Sequence, residues 1–191
     1  IYDLSPLNSL KKIDYSLSIS KNSDLSTTEG LNISEIGEQL AIAHNPSLIS
    51  IVGLNKVTTL GNGLFIEDNN VLSNFTGLTQ LTNIQSLDIF GCPLMQNIDW
   101  LNNVTHIEGY ISISSCNSIT NIDGLRNLIS TSSTEYNEIF IRNNQKLENL
   151  NGLQNLNATL NGLIIDNNPS LFNLNGLNNL DVVHGLLVAD N

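Results

Sequence analysis

The 191-residue chain carries 7 Lys or Arg against 18 Asp or Glu, a formal net charge of −11 and a pI near 4.3, so its surface repels phosphate backbones and excludes nucleic-acid binding. The same sign disfavours an anionic membrane surface, and no apolar run approaches the ~20 residues that a spanning helix needs. Only 13% of the residues are charged and 5% aromatic, while Leu and Ile dominate a 40% hydrophobic fraction, which suits one globular or repeat domain.

From Ile1 onward there is no basic stretch followed by an apolar run and a small-residue cleavage site, so any export signal is expected to have been removed or omitted from this stretch. The first patterned element is Leu17/Ile19. The same apolar pair with one residue between returns at Leu40/Ile42, Leu64/Ile66, Leu87/Ile89, Ile111/Ile113, Ile139/Ile141, Leu163/Ile165 and Leu186/Val188, about 23 to 24 residues apart. Alternation of period 2 turns both apolars inward and the middle residue outward, which predicts a short strand in each unit and parallel stacking between units.

Three residues beyond each second apolar stands Asn22, Asn45, Asn69, Cys92, Cys116, Asn144, Asn168 or Asn191, without exception. An inward amide there can donate to and accept from the backbone of adjacent coils, which predicts an Asn ladder. Farther along each unit lies Gly before Leu, as at Gly30, Gly53, Gly77, Gly124, Gly152 and Gly176, with Trp100 taking the place once. Gly implies a bend that needs positive φ or lies too close to the next coil for a side chain. The apolars spaced three apart around it predict 3₁₀ turns or short extra strands rather than stable helices. One unit is longer by four residues near Ser130–Glu135, where a bulging surface loop is expected.

Residues 1–191 thus read as a single, mainly β repeat solenoid of about eight coils, β-helix-like, roughly 38 Å long at about 4.8 Å per rung. Neither end carries a recognisable cap, so adjoining repeats or domains of a longer parent chain are expected.

The Leu-x-Ile-x-x-(Asn/Cys) core resembles leucine-rich repeats, and the stretch from Leu60 through Phe65, Asn69 and Phe75 to Leu78 resembles the receptor L-domain type. That resemblance covers essentially the whole chain and implies a right-handed solenoid of the kind found in receptor ectodomains and bacterial surface proteins. It specifies the fold strongly and the ligand hardly at all.

Cys92 and Cys116 occupy one slot of consecutive units, which brings their Cα atoms within disulfide range but leaves the Cβ atoms far for a bridge; two buried thiols are the favoured reading. No Cys or His set completes a metal site, and His44, His106 and His184 fall in different slots as solvated or locally bonded side chains. Glu67, Asp68 and Asp88 cluster across two units, yet without a nucleophile oriented by a base or a Ca²⁺-loop pattern, so no catalysis, metal or cofactor is expected. Ice binding fails for want of a Thr-x-Thr column.

The outward strand face carries the candidate site. Phe65, Glu67, Asp88, Phe90, Tyr110, Phe140, Arg142, Ile164 and Leu187 collect there, where strands ordinarily present polar residues. The expected function is a non-catalytic, secreted or cell-surface recognition or adhesion module binding an extracellular protein or glycan through this face. The alternative is a structural spacer in a larger surface protein, with the same residues covered by a neighbouring domain. Four sequons, at Asn32, Asn74, Asn103 and Asn157, are no more than chance supplies in an Asn-rich chain.

Overall fold

The computed structural model describes residues 1–131 and 137–191. Most of the predicted insertion, residues 132–136, lies outside the described residues.

Eight strands follow one another in chain order in a single parallel sheet: β1 (Leu17–Ser20), β2 (Leu40–Ala43), β3 (Gly63–Glu67), β4 (Ser86–Phe90), β5 (Ile111–Ser114), β6 (Glu138–Arg142), β7 (Gly162–Asp166) and β8 (Leu186–Ala189). The register places like on like, with Leu40 beside Leu64, Leu64 beside Leu87 and Leu87 beside Ile111. Those inward side chains are fully buried, each removing an aliphatic surface worth about 1.5–3 kcal/mol from water. Eight rungs enclose about seven full turns, slightly fewer than the coil count read from the repeats.

Each rung ends in the same way. Lys21, His44, Asp68, Gly91, Ser115, Asn143, Asn167 and Asp190 all have φ between 49° and 64°, a left-handed residue that turns the chain off the sheet. The ladder residue comes next and ties coil to coil. Asn69 donates from Nδ2 to the carbonyls of Ile42 (2.8 Å) and Glu67 (2.9 Å), and its Oδ1 accepts from the backbone N–H (3.1 Å) and Nδ2 (3.3 Å) of Asn45. Asn144 and Asn168 repeat the arrangement, donating to Ile113 and Ile141. A buried amide that satisfies its own polar atoms and those of two coils also sets the coil register.

The rest of each coil uses both of the local structures its spacing allows. Single 3₁₀ turns form at Val52–Leu54, Thr76–Leu78, Asp99–Leu101, Asp123–Leu125 and Asn151–Leu153. Two-residue parallel strands such as Glu35–Ile36, Asn83–Ile84 and His106–Ile107 form a second side before the chain bends back into the ladder. Both reasons for the Gly-Leu column hold, at different positions: Gly30 and Gly176 have φ of 97° and 102°, whereas at Gly53 and Gly77 a Cβ would collide with the Thr28 or Ile51 carbonyl oxygen of the preceding coil, not the following one. Where Trp100 replaces Gly, its ring stacks on Phe75 of the preceding coil, centroids 5.3 Å apart and planes 10° from parallel. The Trp100 Nε1 is buried there with no hydrogen-bond partner among the described residues.

Candidate functional site

Period-2 alternation on eight registered strands writes the outward face as columns. Ser18, Ala41, Phe65, Asp88, Ser112, Phe140, Ile164 and Leu187 lie side by side, and two residues farther along run Ser20, Ala43, Glu67, Phe90, Ser114, Arg142, Asp166 and Ala189. The first two rungs therefore present only Ser and Ala, and the relief begins at β3.

At the centre, small residues on β5 sit between larger ones on β3, β4 and β6. One hollow of about 300 Å³ is lined by Phe65, Ile66, Glu67, Asp88, Phe90 and Ser112. A second, of about 410 Å³, is lined by Asp88, Tyr110, Ser112, Ser114, Glu138, Phe140 and Arg142. They share Asp88 and Ser112, so the face holds a carboxylate with aromatic walls on either side. Burial pushes the Asp88 carboxyl above its ordinary range, a hydrogen bond from Ser112 opposes this, and the negative charge of Glu67 adds to the rise. Burial also raises the Tyr110 phenol, with Asp88 contributing. The Arg142 guanidinium lies 5.3 Å from the Phe140 ring centroid, and its Nε is buried without a hydrogen-bond partner among the described residues.

Of the nine face residues singled out in the sequence, Phe65, Glu67, Asp88, Phe90, Tyr110, Phe140 and Arg142 line these two hollows. Ile164 continues the central column beside Phe140 and is partly buried. Leu187 is exposed, but so are Leu186 and Val188 from the inward column, so its exposure belongs to the last rung rather than to the face.

Asp68 does not join Asp88. It pairs with His44, Nδ1 to Oδ2 at 3.4 Å, and Glu67 brings a third donor, all within 4.8 Å of one another. The sequence places His44 and Asp68 in one column, the left-handed position, which spacing from the apolar pair would have revealed. One imidazole and two carboxylates form a donor set that a first-row divalent metal accepts. Both partners of the pair are two-fifths exposed, and their mutual contact accounts for the arrangement without a cation.

Sequence reasoning also missed a larger hollow, about 790 Å³. It runs along the short-strand side past Lys12, Glu35, Thr59, Asn83 and His106, and it has no aromatic wall. Cys92 and Cys116 are buried and free. Their thiols donate to the Phe90 and Ser114 carbonyls at 3.7 and 3.5 Å, keeping part of the Asn ladder pattern. Among the described residues no helix is long and apolar enough to cross a membrane.

A family model described as Receptor L domain matches residues 79–183, just over half of the 191 residues. Neither the curated proteins nor the solved structures contain a match to the chain.

Proposed function

The chain belongs to the receptor L-domain family, whose members are ligand-binding modules typical of extracellular receptor ectodomains, and from that premise we propose that it is a non-catalytic recognition or adhesion module at the cell surface, binding an extracellular protein or glycan through the outward face of its ladder. The whole of residues 1–191 acts as one repeat domain in this reading, with flanking domains of the same parent chain beside it. No cofactor takes part.

The observation that supports it is the concentration of Phe65, Phe90, Tyr110 and Phe140 around half-buried Asp88 on a face where the neighbouring rungs β1 and β2 carry only Ser and Ala. Aromatic and Arg side chains around a partly desolvated centre are the composition of energetic hot spots, whereas the larger hollow along the short strands lacks them.

The test is a screen of the chain against immobilised extracellular proteins and glycans, with a variant carrying Phe65→Ser, Phe140→Ser and Ile164→Ser alongside. None of the three is in the buried core, so the variant folds; a hit that the variant loses supports the reading. A hit bound equally well by the variant refutes this face. Absence of any hit favours the spacer reading, in which these residues pack against a neighbouring domain.

A further inference from the structure

We propose that the hollow between Phe65 and Phe90 receives a cationic side chain, Lys or Arg, of a protein partner. The proposal rests on the recognition-face reading above and deepens it by naming the chemistry of the ligand.

Register creates the site. Phe65 lies directly across from Asp88, and Glu67 directly across from Phe90, so two rings and two carboxylates occupy opposite corners of one square. Parallel strands sit about 4.8 Å apart and like-facing residues along a strand about 6.6 Å apart, so each ring adjoins both carboxylates. A cation seated between the corners meets two ring faces and two negative charges at once.

The corners are available for it. Among the described residues neither Glu67 nor Asp88 is in an ion pair, the Glu67 carboxylate also standing within 4.8 Å of His44 and Asp68, and the Arg142 guanidinium lies against Phe140, on the far side of Ser112 from Asp88. Phe65 leaves the hollow open because its ring leans over Gly63, where a Cβ would stand only 2.6 Å from the ring. The volume, about 300 Å³, is at the small end of the range for ligand pockets, which suits one side chain better than an oligosaccharide. The polar groups that line it are dominated by acceptors, which a sugar hydroxyl can use only in part and an ammonium or guanidinium uses fully. The Arg142–Phe140 contact on the same face is an intramolecular instance of the recognition proposed. A net charge of −11 steers cationic partners toward the chain as a whole.

The experiment is an NMR titration of the whole chain at pH 7 with N-acetyl-lysine amide, N-acetyl-arginine amide, neutral N-acetyl-glutamine amide and an N-acetylglucosamine tetramer. The two cations are expected to shift the ring signals of Phe65 and Phe90 and the Ser112 amide, with the neutral amide silent, and the affinity should fall as salt rises. Asp88→Asn and Glu67→Gln should each weaken the cations at least ~5-fold, while Asp24→Asn, remote from the hollow, should leave them unchanged. Equal weakening by Asp24→Asn marks diffuse charge attraction and overturns the site. No shift of these signals at about 50 mM probe overturns it too. Binding of the tetrasaccharide alone overturns the cation pocket and leaves the recognition face standing. Failure of the face itself is read separately, from Phe140→Ser and Ile164→Ser, which lie outside this hollow.

Discussion

Replacing Asn69 with Ala removes four hydrogen bonds from a side chain that is fully buried. The Asn45 backbone N–H loses its acceptor outright, which costs about 1–3 kcal/mol for an unpaired buried donor. The Glu67 carbonyl keeps the N–H of His44, so its loss and that of the bond to Ile42 are each nearer ~1 kcal/mol. The sum is about 3–5 kcal/mol, a large part of the ~5–15 kcal/mol that holds an ordinary domain together. Asn69→Cys is the informative partner variant. By analogy with Cys92, its thiol donates to the carbonyl two residues back and accepts the N–H of the preceding ladder residue, so the cost falls to ~1–2 kcal/mol. Urea unfolding followed by far-UV circular dichroism and by the fluorescence of the sole tryptophan, Trp100, measures both. A loss below ~1 kcal/mol for Asn69→Ala, or an equal loss for Ala and Cys, would refute the reasoning that the ladder amide bonds the coils.

Other consequences of the packing are as direct. Gly77→Ala drives a Cβ into the Ile51 carbonyl oxygen and should cost about 1–3 kcal/mol by urea unfolding, whereas Gly185→Ala, whose Cβ would stand 3.4 Å from the Asn161 carbonyl, should be near neutral. Burial pushes the thiols of Cys92 and Cys116 up to about 12 and about 11, so at pH 8 neither should react with a thiol reagent until denaturant is added, when both should; two fast thiols in the folded protein would contradict this. Because those thiols keep their protons when folded and lose them near 9.0 when unfolded, stability should fall as pH rises from about 9 to about 12, and a Cys92→Asn, Cys116→Asn variant should show a smaller fall, the raised Tyr110 phenol supplying part of what is left. Asp88 has the same sign at lower pH: its carboxyl stays protonated above the ordinary 3.8, so ionisation destabilises the fold. Asp88→Asn should therefore have a higher urea midpoint than wild type at pH 7, with the gap closing below pH 3.8.

The ladder was legible because its two signals, alternation of Leu with Ile and the Asn or Cys three residues on, are each fixed by one side-chain chemistry. A Leu64 or an Asn69 has few substitutes where a coil must bury an aliphatic group or satisfy three backbone atoms. The left-handed column was harder to see, since Lys21, His44, Asp68, Gly91 and Ser115 share a backbone conformation and no side-chain type. Asn, Asp and Gly at five of its eight positions are the trace it leaves. Gly53 could be read as a bend, but whether positive φ or contact required it depended on where the Thr28 carbonyl fell. The face residues were identifiable one by one from alternation. Their grouping was not, because Phe65 and Phe90 stand in different columns and meet diagonally only once β3 and β4 are in register. His44 was likewise ordinary as a residue and becomes notable through Asp68, 24 positions away, in the next coil.

Hydroxyl-radical footprinting of the chain with and without the first partner recovered from the screen tests the recognition face most directly, because it reads side chains rather than amides already bonded in the sheet. Binding through this face lowers modification of Phe90, Tyr110 and Phe140 and leaves the exposed rings of Tyr15 and Phe172 unchanged. Protection confined to Tyr15 and Phe172, or to the short-strand hollow at His106, with Phe90, Tyr110 and Phe140 modified as in the free chain, would contradict it.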